Sequence, residues 1–131
     1  MKLLGLDYGE AKIGLAIGDI ESGVATPYGI IKNLGWNNAT HEIKNICDKE
    51  GITKIIIGVP VNPASLESEQ IRKIENFILQ LKEKTGLEVL GKDERFSTQE
   101  AQKLITKDKA HDDDVAAMLI LQNYFDSQSL R

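Results

Sequence analysis

The sequence predicts a single mixed α/β domain, and three features of its hydrophobic pattern lead to that fold class. Two apolar runs, at residues 3–6 and 13–17, flank a short polar turn that contains Gly9, which is a β-hairpin pattern. The unbroken run Lys54–Gly58 lies between two segments of helical periodicity, as in a βαβ unit with a strand buried on both faces. With 131 residues the chain is long enough to bury its own core, so we expect one domain over residues 1–131.

The predicted elements follow one another as three strands, a helix, a strand, a helix, a strand and two helices. Gly23–Ile31 reads as the third strand, and Pro27 predicts that it lies at a sheet edge because proline cannot donate to a ladder. A helix over Ala39–Glu50 follows, with asparagine caps before it and Gly51 as its stop. The remaining elements are a strand over Lys54–Gly58, a helix over Ala64–Lys84 ended by Gly86, a strand over Leu87–Lys92, a short helix after the capping box Ser97–Glu100, and a final helix from Asp112.

The amino-acid composition narrows the classes of protein to which this chain can belong. The 16 Lys and Arg against 20 Asp and Glu give a net charge of −4, which counts against a broad phosphate-binding surface. It does not exclude nucleic acid, because a nuclease that binds through divalent metals needs a negative site and basic residues only at its rim. The single cysteine, Cys47, excludes an internal disulfide and a cysteine-based zinc site, and its helical position predicts a small core residue. No apolar run is long enough for a bilayer, so we expect a cytoplasmic protein without a membrane partner.

Asp7 is a carboxylate inside the first apolar run. An acid there loses much of its hydration, which is costly unless a cation or hydrogen-bond donors replace the water. Asp7 is therefore either the first ligand of an acidic site at the middle of the sheet or an acceptor for the turn that follows it. Glycines at 5, 14 and 18 are poor strand formers and indicate that another backbone or a ligand comes close.

Two further acidic groups stand beside predicted buried elements, namely Asp93–Glu94 after the last strand and Asp112–Asp114 at the start of the final helix. Each has a structural explanation of its own. Acids in a first helical turn interact favourably with the macrodipole, typically by ~0.3–1 kcal/mol each, and Glu94 could pair with Arg95. Helical periodicity turns Asp112 to water and leaves Asp113 and Asp114 on either side of the buried stripe, without choosing between them. The small residues 116 and 117 would let this helix approach the sheet closely.

Taken together, acids on two strands and a helix could converge on one point. Carboxylates held a few ångströms apart without cations would repel and raise one another's pKa. Bound Mg²⁺ or Mn²⁺ removes that penalty, because hard cations take carboxylate oxygens. Two such ions about 3.5–4 Å apart can activate a water and stabilise the leaving oxygen in phosphodiester cleavage. No nucleophilic triad offers an alternative chemistry.

Four segments of the chain resemble motifs of the YqgF (RuvX) family, and together they run from one end of the chain to the other. They are Leu6–Gly9 with Lys12–Ala16, then Ile57–Pro60, then Asp93–Ala101, and finally Asp113–Tyr124. The block Asp93–Ala101 is the most specific of them. The resemblance implies an RNase H-like fold: a five-stranded mixed sheet with the first three strands antiparallel and helices on its faces.

The resemblance also implies the site residues. Asp7, Glu94 and Asp113 would be the catalytic acids that hold a two-ion Mg²⁺ or Mn²⁺ site, with Asp93 and Asp114 as alternative ligands. Substrate phosphates would meet Lys12, Arg95 and Ser97, the last together with the helix N-terminus that follows it. Lys12 stands where the family commonly has arginine, so the charge is kept and the bidentate fork is lost.

Members of this family are described as pre-16S rRNA nucleases and formerly bore the name of Holliday junction resolvases. The resemblance therefore implies pre-16S rRNA, within a precursor of the ribosomal small subunit, or branched DNA as the substrate of a monomer or homodimer. A non-catalytic ribosome-associated module is an alternative, because the segment between Ala101 and Asp113 is short and nearly neutral. An ATP-binding fragment, suggested by the turn after Asp7, would need two such domains around a cleft, and the chain is too short for them.

Overall fold

Five strands and three helices make up the part of the chain that the structure describes. The computed structural model describes residues 1–59, 68–93 and 112–129, and for residues 68–70, 93, 112, 113 and 129 it describes the backbone element alone. The strands are β1 (Lys2–Tyr8), β2 (Lys12–Asp19), β3 (Val24–Lys32), β4 (Ile52–Val59) and β5 (Glu88–Asp93). The helices are α1 (Trp36–Glu50), α2 (Ser68–Thr85) and α3 (Asp112–Ser129).

The strands form one mixed sheet in the order β3-β2-β1-β4-β5. The hairpin strands β1 and β2 are antiparallel, as are β2 and β3, while β4 runs parallel to both β1 and β5. This confirms the expected five-stranded sheet with its first three strands antiparallel. The edge position predicted from Pro27 is also confirmed, since β3 is an outer strand.

Strand β4 is buried on both faces, as its unbroken apolar run predicts. Ile55, Ile56 and Ile57 have no exposed surface. Ile55 and Ile57 belong to a core cluster with residues of α1 and α2, whereas Ile56 belongs to a second cluster with residues of α3. The sheet is therefore the middle of three layers, and we call its two sides the α1/α2 face and the α3 face.

The pleat of β1 assigns its side chains to these two faces. Leu3 packs in the cluster with α3, and Leu4 and Leu6 pack in the cluster with α1 and α2. Because side chains alternate along a strand, Asp7 lies on the α3 face and Tyr8 on the α1/α2 face. Consistently, the ring centroid of Tyr8 is 4.7 Å from that of Phe77 in α2.

Helix α1 begins at Trp36, three residues earlier than predicted. Its N-cap is Gly35, which makes no side-chain cap, so the predicted asparagine caps at 37 and 38 are wrong and both residues lie in the first turn. The backbone explains the difference: Gly35 has φ 106°, which glycine adopts at little cost, and its carbonyl accepts the N–H of Ala39 at 2.9 Å. The predicted stop at Gly51 is confirmed, with a left-handed φ of 71°.

The other boundaries differ from prediction by one or two residues at most, where they can be compared. Strand β4 is longer than the predicted run at its start and at its end, and β5 begins and ends one residue later than predicted. The predicted start of the second helix at Ala64 and the short helix after Ser97 lie outside the described residues. Within the described ranges, none of the helices combines the length and hydropathy that a membrane span requires.

Candidate acidic site at the strand ends

Three parallel strands end at the same edge of the sheet, which we call the carboxyl edge. The register pairs Leu6 of β1 with Ile57 of β4, and Val59 of β4 with Asp93 of β5. Asp7 and Asp93 are thus at or next to the ends of their strands, and Glu94 is the next residue in the chain. Open α/β sheets place their sites at this edge.

Helix α3 packs on β1, β2 and β3, with its N-terminus toward the same edge. A Cβ atom on Gly5 would be 2.8 Å from the Cβ of Leu121 and 3.0 Å from the carbonyl oxygen of Ala117. A Cβ on Gly18 would be 2.7 Å from the ring of Phe125, and Gly18 pairs with Leu3. The helix therefore runs from Gly5 toward the start of β1 as its residue numbers rise. The close approach predicted from the glycines at 5 and 18 and from the small residue at 117 is confirmed.

This direction brings the start of α3 toward Asp7. Asp114 precedes Ala117 by three residues, about 4.5 Å along a helix axis, and Asp7 follows Gly5 by two residues, about 6.6 Å along a strand. Ala117 lies against Gly5, and this contact fixes the helix on the strand. Asp7 and Asp114 both lie beyond this contact toward the carboxyl edge, on the α3 face. The two elements that carry predicted acids are thus brought together at one edge.

The predicted site residues differ in how far the structure describes them. Asp7 is half-buried in β1, and Lys12 is exposed at the start of β2. Asp113 lies in the first turn of α3, where only the backbone is described. Glu94, Arg95 and Ser97 lie outside the described residues, so their predicted roles stay predictions.

Asp114 carries the feature that bears most directly on a metal. Its Oδ1 atom is buried and has no hydrogen-bond partner among the described residues. A buried carboxylate oxygen left without a partner is costly, by about 1–3 kcal/mol or more for a charged group. A hard divalent cation takes carboxylate oxygens as ligands, so this atom fits the expected Mg²⁺ or Mn²⁺. Within residues 1–59, 68–93 and 112–129 no three His, Cys, Asp or Glu side chains form a group that could hold a metal.

Three lysines lie at the carboxyl edge on the α3 face. Lys12 and Lys32 are paired directly across β2 and β3, and Lys12 shares its face with Gly14, the partner of Asp7. Lys92 follows Leu90, which packs against the α3 cluster, by two residues and so lies on the same side of β5. Like charges directly opposite one another destabilise a sheet, and a bound phosphate would relieve that repulsion. Sequence reasoning named Lys12 and missed Lys32 and Lys92, because only the strand register shows that all three share one edge.

Cys47 is excluded as a nucleophile. It is buried in the core cluster beneath α1, as predicted, and burial raises the pKa of its thiol to about 11. The reactive thiolate is therefore scarce at neutral pH.

Two solved structures with a similar fold are complexes with a Holliday junction. A Thermus thermophilus RuvC in complex with a Holliday junction substrate matches with a TM-score of 0.70 at 13% identity, covering 99% of this chain and 97% of that one. The Fowlpox virus resolvase in complex with Holliday junction DNA matches with a TM-score of 0.61 at 17% identity over the full length of both chains. At these identities the likeness shows the fold, which is RNase H-like as the resemblance implied.

Proteins found by sequence similarity have a higher identity to this chain than these solved structures. A protein of Thermoanaerobacter pseudethanolicus named "Putative pre-16S rRNA nuclease" is 35% identical over 136 aligned positions, covering 98% of both chains. A Clostridium tetani protein of the same name is 35% identical and covers 97% of both. The family model described as "RuvX: Holliday junction resolvase" matches residues 1–127. With nearly the whole chain matched in this way, the protein belongs to the RuvX family of nucleases.

Proposed function

We propose that this protein is a divalent-metal-dependent nuclease that hydrolyses phosphodiester bonds of pre-16S rRNA, in processing of its 5′ end. The observation that carries the proposal is the buried Oδ1 of Asp114, without a hydrogen-bond partner among the described residues, on the face and edge that hold Asp7. The substrate is taken from the name that the relatives carry.

The metal ligands in this proposal are Asp7, Glu94 and one acid from the start of α3. The family resemblance favours Asp113 for that third position, and the buried oxygen favours Asp114. Bound Mg²⁺ or Mn²⁺, in a two-ion site, would supply an activated water and stabilise the leaving oxygen. Asp7 and Asp114 are half-buried, which strengthens their attraction for a cation relative to fully exposed carboxylates.

The lysines at the carboxyl edge have a separate role, which is to hold the substrate backbone. Lys12, Lys32 and Lys92 bring three positive charges to the rim of a negative site in a protein of net charge −4. Phosphate contacts of this kind position a nucleic acid without reading its sequence. Arg95 and Ser97 are proposed to add phosphate contacts, on the strength of the resemblance alone.

The direct test is cleavage of a pre-16S rRNA fragment in Mg²⁺ or Mn²⁺ by the wild-type protein and two variants. We expect Asp7→Asn and Glu94→Gln to lose at least about 100-fold in rate, the scale seen when an electrostatic catalytic group is removed. Asp48→Asn is the matched control, because Asp48 is an exposed acid of α1 that pairs with Lys44 at 2.8 Å. Full activity in both site variants would refute the mechanism.

A binding measurement distinguishes Asp113 from Asp114 and does not depend on turnover. Mn²⁺ at 100 times its dissociation constant should stabilise the folded protein by about 2.7 kcal/mol, seen as a rise in Tm. The asparagine variant of the true ligand should lose most of this rise, while the other variant and Asp48→Asn keep it. A wild-type protein that shows no rise would favour the non-catalytic ribosome-associated module.

A junction nuclease is the second candidate, because the family model is described as a Holliday junction resolvase. Four-way DNA junctions and rRNA precursors assayed side by side, with the same protein preparation and metal, would separate the two substrates. A single domain over residues 1–131, a cytoplasmic location and a monomeric or homodimeric state remain predictions.

A further inference from the structure

A pocket opens at the carboxyl edge, on the opposite face of the sheet from the acidic site. It has a volume of about 320 Å³, which is within the size range of small-molecule sites. Its lining includes residues of the β1–β2 hairpin, of the start of α1 and of α2; they include Tyr8, Glu10, Asn33, Trp36, Lys73 and Phe77. We call it the Trp36 pocket. Tyr8 follows Asp7 directly in β1, so the pocket and the acidic site are approached from opposite faces of the sheet by consecutive residues.

The aromatic side chains of this pocket suit a flat ligand. Trp36, the only tryptophan of the chain, is 49% exposed at the pocket, whereas Phe77 is buried beneath it and packs against Tyr8. In RNA recognition, unpaired bases stack on exposed aromatic rings in this way.

The charges of the pocket favour a neutral base with a phosphate beside it. The Nζ of Lys73 lies 3.5 Å from Oε1 of Glu10, so these two side chains nearly cancel. The N-terminus of α1 has no side-chain cap and no acidic residue in its first turn. Its backbone N–H groups and its dipole therefore favour an anion next to Trp36.

A network of hydrogen bonds ties this pocket to the loop that follows Asp7. The Nδ2 of Asn33 donates to the carbonyl of Gly9 at 2.8 Å, and its Oδ1 accepts the N–H of Gly35 at 3.2 Å. The backbone N–H of Asn33 donates to the carbonyl of Ala11 at 2.9 Å. The hairpin turn and the start of α1 are thus held in one arrangement, which reduces the ordering cost of binding.

We propose that the Trp36 pocket binds one unpaired nucleotide of the RNA substrate, with its base stacked on Trp36 and its phosphate at the N-terminus of α1. The inference rests on the proposed function and deepens it: the strand that meets Asp7 would continue over the end of β1 and place a nearby nucleotide in this pocket. The substrate class is therefore RNA with an unpaired segment next to the cleavage point.

The test measures RNA binding in EDTA, so that metal-dependent cleavage does not interfere. The probe is a fluorescently labelled, eight-nucleotide single-stranded RNA of mixed sequence, followed by anisotropy. We expect Trp36→Ala to weaken binding about 5- to 150-fold, from the usual cost of removing a stacked base. Trp36→Phe should lose less, because a smaller ring remains. Leu79→Ala is the control: Leu79 is 59% exposed on α2, does not line the pocket and should leave binding unchanged.

The intrinsic fluorescence of the protein gives a second readout, because Trp36 is its only tryptophan. Unlabelled single-stranded RNA should quench it with the same dissociation constant, and a blunt duplex of the same length should not. Equal binding by wild type and Trp36→Ala, or equal quenching by the duplex, would overturn the proposal. Either result would leave the metal-dependent nuclease intact, since that function is decided separately by cleavage in Asp7→Asn and Glu94→Gln.

Discussion

Gly5 is the point at which α3 rests on the sheet, and replacing it with alanine should affect both stability and catalysis. The added methyl would lie 2.8 Å from the Cβ of Leu121 and 3.0 Å from the carbonyl oxygen of Ala117. Ordinary contacts between carbon atoms are about 3.5–4.0 Å, so α3 must retreat by roughly 1 Å. Neither neighbouring atom can rotate away, because one is backbone and the other is attached directly to it.

The magnitude follows from two opposing effects. Overpacking of a core costs typically about 1–3 kcal/mol, and the loss of glycine's freedom in the unfolded chain returns about 0.4–1 kcal/mol. We therefore expect the free energy of unfolding to fall by about 1–2 kcal/mol. Because α3 carries the acids at its N-terminus, the same displacement should lower the cleavage rate by up to about 100-fold, the scale of a 1 Å misplacement.

Gly91→Ala is the matched control, since Gly91 is also a mid-strand glycine without a positive φ. Its new methyl would approach Cγ2 of Val59 at 2.9 Å, on the face away from α3, and that side-chain methyl can shift. Urea unfolding and cleavage rates of both variants are the assays, with rates measured where each variant is fully folded. Equal unfolding midpoints for the two variants, or an unchanged rate in Gly5→Ala, would refute the reasoning.

Three further predictions concern other parts of the molecule. The thiol of Cys47, whose pKa burial raises to about 11, should react with Ellman's reagent at pH 8 only as fast as the protein unfolds, and rapid stoichiometric labelling would contradict its burial. The hydroxyl of Tyr28 donates to Oε2 of Glu50 at 3.0 Å, and this hydrogen bond raises the pKa of Tyr28. The stabilisation from this hydrogen bond is present below the unfolded pKa of about 10 and is lost as pH rises through the folded pKa. Tyr28→Phe should therefore lower the free energy of unfolding by about 0.5–1.5 kcal/mol at pH 7 and by less above pH 10. The same decrease at both pH values would contradict a stabilising hydrogen bond from Tyr28. Lys32→Ala and Lys92→Ala should each weaken RNA binding uniformly across sequences and reduce the slope of log K against log salt by about 1, whereas an unchanged slope would remove these lysines from the substrate path.

Sequence reasoning succeeded where the structure depends on local patterns. The apolar run of β4, the edge position of Pro27 and the stop at Gly51 each follow from one segment and its neighbours, and each is confirmed. It failed at the start of α1, where the high N-cap propensity of asparagine led to predicted caps at Asn37 and Asn38. The helix begins earlier because Gly35 adopts the N-cap conformation. It also missed Lys32 and Lys92, because their common location depends on pairing between strands that are distant in the chain.

The sequence by itself determined the fold class, the family and the unusual position of Asp7, since alternating and helical periodicities and contiguous motifs are properties of short segments. Only the tertiary structure shows that Asp7 and the start of α3 lie at the same edge of the sheet. Periodicity placed Asp113 and Asp114 equally well on either side of the buried stripe, and the orientation of α3 depends on a contact between Gly5 and Ala117, more than a hundred residues apart. Packing of that kind is set by the shapes of two distant surfaces, and it leaves one oxygen of Asp114 buried at the carboxyl edge.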